Sequence, residues 1–284
     1  MNSKSLHPKN RFNHSYNFKE LVALNPALKP FVFTNEYEKT TISFANPKAV
    51  KELNKGLLFS YKNISYWDFP DKNLCPPIPG RLDYIHHISD LIFNKRKANI
   101  LDIGTGANCI YPLLGVAEYQ WKFTATDVEK KSLTNANHIV TENKFQKSIA
   151  FRHQKDPEHI LKGVLTPTDH FDVSICNPPF YASQKEANTA NLKKTINLKI
   201  KKNRNFSGDF HELIYRGGEK AFLHNYLYES AVFPKNCTWY TSLVSKKENI
   251  KSLQQSAKKL NVKKFTIIPM QQGNKLTRIV CWQF

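Results

Sequence analysis

From Asn99 onward, short apolar runs alternate with stretches whose apolar residues recur at helical spacing. The first run, Asn99-Ile100-Leu101-Asp102-Ile103, leads through Gly104-Thr105-Gly106 into a helix carrying Ile110 and Leu114. Lys122–Thr126, closed by Asp127, predicts a second strand, Lys130–Asn143 a helix and Ile149–Arg152 a third strand. In the fourth, Phe171–Cys176, residues Val173 to Cys176 suit a strand covered on both faces, as in a parallel sheet. After a long basic interval the pattern predicts a helix at Glu219–Val232, a strand at Trp239–Val244, a helix at Lys247–Leu260 and closing strands at Lys263–Ile268 and Arg278–Trp282. The closing pair, joined through Gln271-Gln272-Gly273-Asn274, reads as a hairpin that gives a mostly parallel sheet one antiparallel edge strand. The predicted class is therefore α/β, a doubly wound Rossmann-like sheet.

The chain before this domain is patterned differently. A polar, basic arm with His7, Lys9, Arg11 and His14, expected to be partly mobile, precedes helices predicted at Phe18–Leu24 and Pro47–Phe59. Residues 1–75 read as a small, mostly helical module, and residues 76–284 as the main domain with a basic insertion at 185–216. The prolines of Cys75-Pro76-Pro77-Ile78-Pro79-Gly80 predict an irregular, stiff connection. A helix is expected after it, from Leu82 to Phe93, burying Ile85, Ile88, Leu91 and Ile92.

Composition adds a partner to this picture. Of 284 residues, 42 are Lys or Arg against 23 Asp or Glu, a formal net charge of +19. Such an excess repels itself unless a polyanion sits against it; nucleic acid leads, with an anionic membrane surface as the alternative. No apolar run reaches transmembrane length and Met1-Asn2-Ser3-Lys4 does not open a signal peptide, so a cytoplasmic location is expected. Cys75, Cys109, Cys176, Cys237 and Cys281 are odd in number and widely spaced, which predicts reduced core residues. His86 and His87 point about 100° apart on a helix, poorly placed to share a metal.

Two stretches carry candidate chemistry. Asn177-Pro178-Pro179-Phe180 ends the fourth strand, where prolines lack an N–H and leave neighbouring carbonyls unpaired. An exocyclic NH2 donating to the Asn177 side-chain oxygen and the Pro178 carbonyl would have its lone pair freed for attack, with Phe180 stacked on the attached ring. An ordinary strand-ending turn explains the tetrapeptide equally well. The second stretch, Asp102-Ile103-Gly104-Thr105-Gly106, lets the backbone approach a ligand, and Asp127 ends the next strand where an acid binds a ribose. A dinucleotide fingerprint needs a third glycine where this chain has Cys109, so S-adenosylmethionine is favoured over NAD.

Three segments together resemble a family: Leu74 to His87, Leu101 to Gly115, and Asn177 to Phe180, with His7-Pro8-Lys9-Asn10 and Phe44-Ala45-Asn46-Pro47 in support. They resemble the bacterial 23S ribosomal RNA adenine-N6 methyltransferases and are similar to the eukaryotic enzymes that methylate an adenine in U6 small nuclear RNA. The resemblance implies S-adenosylmethionine as cofactor and 23S ribosomal RNA or a large-subunit precursor as partner; no metal, no membrane and a monomer are expected beside it. It implies that Arg81 reaches the cofactor carboxylate, that Asp102, Gly104, Gly106 and Asn108 surround its amino-acid end, that Asp127 holds the ribose and that Gln154 lies beside the adenine. Asn177, Pro178, Pro179 and Phe180 would grip the target base. Where the eukaryotic relatives have Glu at the ribose position, this chain has the shorter Asp127. Lys9 and Arg11, and Lys199, Lys201, Lys202 and Arg204 of the insertion, are the candidate RNA contacts; alone, the insertion is better read as a solvated, mobile loop, and its place directly after the Asn177 turn is what favours phosphate binding. Competing readings are a methyltransferase for another amino group (other RNA, DNA adenine or protein glutamine) and a non-catalytic RNA-binding assembly protein, against which Asp127 and Asn177 argue.

Overall fold

The computed structural model describes residues 6–189, 213–272 and 275–284. Its N-terminal elements are α1 (Phe18–Leu24), a 3-10 turn (Pro26–Phe31), a hairpin of β1 (Val32–Thr34) and β2 (Thr40–Ile42), and α2 (Pro47–Phe59). Pro47 starts α2 where its missing N–H costs nothing, and Asn46 Oδ1 caps the amides of Lys48 and Ala49. The β1–β2 hairpin has no counterpart in the sequence expectations.

Helix α3 (Ile78–Leu91) corrects another. The Pro-rich connection does not stay irregular up to Gly80: Pro77 caps the helix, and Pro79 sits in its first turn, where no intrahelical partner is lost. The helix thus begins four residues before the expected Leu82, with Arg81 inside it. Nor is the basic arm loose from His7 on. Asn10 Nδ2 donates to the Pro79 carbonyl at 2.9 Å, and His7 Nε2 lies 2.9 Å from Asp90 Oδ2, tying the arm along α3.

The remaining elements alternate as expected: β3 (Asn99–Ile103), α4 (Ile110–Tyr119), β4 (Lys122–Asp127), α5 (Lys130–Glu142), β5 (Ile149–His153), β6 (Phe171–Cys176), α6 (Gly218–Val232), β7 (Cys237–Val244), α7 (Glu248–Lys259), β8 (Lys264–Gln272) and β9 (Lys275–Gln283). Among the described residues they form a seven-stranded sheet in the order β5-β4-β3-β6-β7-β9-β8, parallel from β5 to β7, with the antiparallel β9 followed by β8 at the edge. Side-chain alternation divides the core. Ile279 and Cys281 pack with α2 to α5, whereas Val280 and Trp282 face α6 and α7. The first of these clusters also contains Leu28, Leu53 and Trp67, so the N-terminal segments and the sheet share one core. All five cysteines are free thiols, four of them buried.

The chain runs outward from β3 to β4 and β5, then crosses back to place β6 on the other side of β3. At such a reversal the loops after neighbouring strands diverge and leave a crevice at their carboxyl ends. Among the described residues no helix is long and apolar enough to cross a membrane.

Candidate active site

That crevice is a cavity of about 450 Å³. Its walls bring together Arg81, Gly104, Gly106, Asn108, Asp127, Gln154, Asn177, Pro178 and Pro179. Asp102 and Phe180 are not in the wall, and neither are Lys9 and Arg11. Lys9 is paired with Asp90 at 3.0 Å, and the Arg11 guanidinium lies 4.5 Å from the Tyr61 ring centre. Lys199, Lys201, Lys202 and Arg204 lie outside the described residues.

The loop after β3 is curled by three left-handed residues, Gly104 (φ 71°), Gly106 (φ 65°) and the non-glycine Cys109 (φ 52°). Its coil is held from β4: the amides of Gly104 and Thr105 both donate to the Thr126 carbonyl at 2.9 Å, and Gly106 N–H donates to Asp127 Oδ2 at 2.8 Å. Glu129 N–H binds the other Asp127 oxygen. Burial pushes the Asp127 carboxyl above its ordinary pKa, although these amides favour its charged form. Each oxygen keeps a lone pair, enough to accept from a diol.

Asn108 does more than line the cavity. Its Oδ1 accepts from Ile110 N–H, its Nδ2 donates to the Leu74 carbonyl at 3.3 Å, and its own carbonyl accepts from Trp67 Nε1 at 2.8 Å. Asn135 Nδ2 bridges the carbonyls of Asp68 and Ala107. These contacts clamp residues 66–76 against the glycine loop, and Pro70, Asn73, Leu74 and Pro76 become part of the cavity wall. Trp67 and Asn135 were not among the sequence candidates.

Opposite, the loop after β5 is held by Glu229 of α6. Its carboxylate accepts from the amides of Ile160, Leu161 and Lys162 at 2.7–3.1 Å, while His159 Nδ1 lies 3.2 Å away. The side chain of Gln154 closes the same loop, donating to the Lys162 carbonyl and accepting from Asp156 N–H. Pro157, His159 and Ile160 are thereby fixed in the cavity wall.

The floor carries unpaired charge. Arg81 donates through Nη1 to Tyr111 Oη at 2.7 Å, but its buried Nε has no partner. Asp102, only 1% exposed, makes no well-formed hydrogen bond through either oxygen, although the Thr105 hydroxyl, which donates to Cys109 Sγ, is close by. Burial, reinforced by the Asp127 charge and opposed by Thr105 and Arg81, pushes its carboxyl up to about 7. Buried polar atoms without partners are rare in folded proteins, and these lie beside an open cavity. A zwitterionic amino-acid group is the kind of ligand that an orphaned guanidinium N–H and a half-ionised carboxyl together suit.

Beyond β6, the Asn177 side chain makes no hydrogen bond among the described residues, and no backbone amide there donates to the Pro178 carbonyl. Near the end of the insertion, Leu213-Ile214-Tyr215 is bonded on both sides to Tyr181, and all three residues join Phe222 and Asn177 in the cavity wall.

The whole chain, residues 1–284, matches the family described as RNA methyltransferase (Methyltransf_10). The protein belongs to this family. Ribosomal RNA large subunit methyltransferase F of Bacteroides thetaiotaomicron is 46% identical over 98% of this chain and 97% of its own length. The protein of that name from Shewanella sp. (strain MR-7) is 44% identical over 99% of this chain and 82% of its own. Among solved structures, the catalytic domain of human METTL16 in complex with the MAT2A 3'UTR hairpin 1 superposes with a TM-score of 0.86 at 31% identity, covering 99% of this chain and 96% of that one. The METTL16 N-terminal domain in complex with SAH gives 0.79 at 28% identity, covering 99% of each chain.

Proposed function

We propose that the protein methylates the N6 amine of one adenine in 23S ribosomal RNA, or in a large-subunit precursor, acting as a cytoplasmic monomer. The observation that carries this reading is a single cavity with two unlike ends. One end has the glycine loop, Asp127 and the partnerless Nε of Arg81, with the Asp102 carboxyl beneath it; the other has the unbonded Asn177 amide and Pro178 carbonyl. The family membership and the ribosomal RNA methyltransferases similar over nearly the whole chain support it.

The enzyme is S-adenosylmethionine-dependent, and the cofactor supplies an electrophilic methyl group on a sulfonium. Arg81 and Asp102 meet its amino-acid end, with Gly104, Gly106 and Asn108 shaping that part of the wall, Asp127 meets the ribose, and Gln154 with the loop after β5 borders the adenine. Asn177 Oδ1 and the Pro178 carbonyl each accept one hydrogen of the target amine. That leaves the lone pair for the new N–C bond, which would form as the sulfonium S–C bond breaks and its electron pair stays on sulfur, and Pro179 and Phe180 confine the ring plane. The amine is hardly basic, and no strong base is required: after attack its surplus proton passes to water. A base paired in a helix cannot enter such a crevice, so the adenine is unpaired or flipped. Phosphates around it meet the cations of the insertion, Lys199, Lys201, Lys202 and Arg204, and the N-terminal module with Lys9 and Arg11 adds RNA surface.

Mapping N6-methyladenine in 23S ribosomal RNA from cells with and without the protein tests the proposal. One adenine should lose its methyl group in the deletion and regain it with the purified enzyme. Methylation of a different base, of DNA or of a protein glutamine would refute it.

A further inference from the structure

To present Asn177, β6 has to part from β7, and their ladder ends early. Phe171 pairs with Cys237, Val173 with Trp239 and Ser174 with Tyr240, whereas β7 goes on pairing with β9 as far as Val244. Ser174 and Cys176, two apart, turn their backbone groups to the same edge of the strand, so the parting leaves a Cys176 N–H with no strand beside it. Side chains take over there. Thr241 Oγ1 donates to the Ser174 carbonyl at 2.7 Å, Tyr84 Oη lies 2.8 Å from Thr241 Oγ1, and Cys176 N–H donates to Tyr84 Oη at 3.3 Å. Thr241 uses its one proton on Ser174, so Tyr84 must donate to Thr241 and accept from Cys176. Every direction in the chain is fixed.

Tyr84, Thr241 and Ser174 are fully buried, and Cys176 is 1% exposed. Water therefore does not stand in for a missing hydroxyl without entering the core. Tyr84 also sits one turn of α3 after Arg81, and its ring packs edge-on against Tyr111, the residue that Arg81 binds.

We propose that Tyr84 is a positioning residue for the transfer: with Thr241 it replaces the missing rung of the sheet and sets the backbone from which Asn177 and Pro178 reach the target amine. The proposal rests on the amine-orienting role given to those two residues. Tyr84 itself does not line the cavity.

The test uses the full chain, a large-subunit ribosomal RNA transcript and labelled S-adenosylmethionine. It reads single-turnover rate at saturation, cofactor Kd by calorimetry and thermal midpoint. Tyr84→Phe and Thr241→Val should each slow transfer about tenfold or more, because small misplacements of reacting groups are costly, while Kd stays within about twofold. The double variant should be no slower than the worse single variant, and Thr241→Ser should recover most of the rate lost in Thr241→Val. Unchanged rates, additive losses in the double variant, or losses matching only the unfolded fraction would overturn the relay. If the wild-type enzyme labels a base other than adenine, the proposed function fails, and the same rate comparisons on that base still decide the role of Tyr84.

Discussion

Asp102 shows how depth changes the chemistry of one side chain. Its folded-state pKa of about 7 lies above the ordinary 3.8, so between these values the folded protein keeps a proton that the unfolded chain has released. Stability of the cofactor-free protein should therefore fall as pH rises through that window and level off above it. Denaturant melts between about pH 4 and pH 8 should show a flatter profile in Asp102→Asn. An unchanged slope in the variant would assign it to other groups. Asn177 offers the complementary prediction. Asn177→Ala should lose methyl transfer by roughly 100-fold or more, as when one orienting group is removed from an active site, with cofactor affinity nearly unchanged by calorimetry. Both residues were legible in the sequence because each ends a strand beside a glycine or proline motif. What the motif could not show was that Asp102 lies beneath the cavity wall, or that Tyr84, Trp67, Asn135 and Glu229 support it. Those four bond to backbone atoms 28 to 92 residues away, and such partners leave no local pattern.

At the scale of elements, periodicity located the strands on which the proposed cofactor and amine ends depend. The covered sheet makes the inner positions of these strands largely apolar, and the strands end at Asp127 and at Cys176, just before Asn177. It failed where one residue type has two uses. Pro79 breaks a helix interior but is tolerated in a first turn, and only the packing of Ile78 and Leu82 into the core decides for the helix. The β1–β2 hairpin has three-residue strands, too short for alternation to register, and depends on Asn35 Oδ1 accepting from the amides of Tyr37 and Lys39. The loop after β5 depends likewise on one distant carboxylate. Glu229→Gln keeps the shape of the side chain but removes the charge that gathers three amides. Charge-assisted bonds of this kind contribute about 1.5–3 kcal/mol each. Cofactor Kd should therefore rise about tenfold with the rate at saturating cofactor little altered. A fall in that rate at unchanged Kd would mean that the loop serves the base end instead.

For the whole molecule, the surplus of cations and the placement of the insertion have to be explained together. A net charge of +19 favours any polyanion and does not distinguish RNA from DNA or from an anionic surface. What the described residues add is position: the Asn177 turn before the insertion and Leu213-Ile214-Tyr215 near its end line the same cavity. In the proposed reading the cations of the insertion, which lie outside the described residues, hold the strand on either side of an extruded nucleotide. Replacing Lys199, Lys201 and Lys202 by Ala should weaken RNA binding and lower the slope of log affinity against log salt by roughly two, the counterion release for three phosphates of a single strand. Filter binding across a salt series measures it. Transfer at saturating RNA should change far less than affinity, because none of the three reaches the amine in this reading. An unchanged slope would return the insertion to a solvated loop and shift the search for the RNA path to the N-terminal segments, whose core is continuous with the sheet.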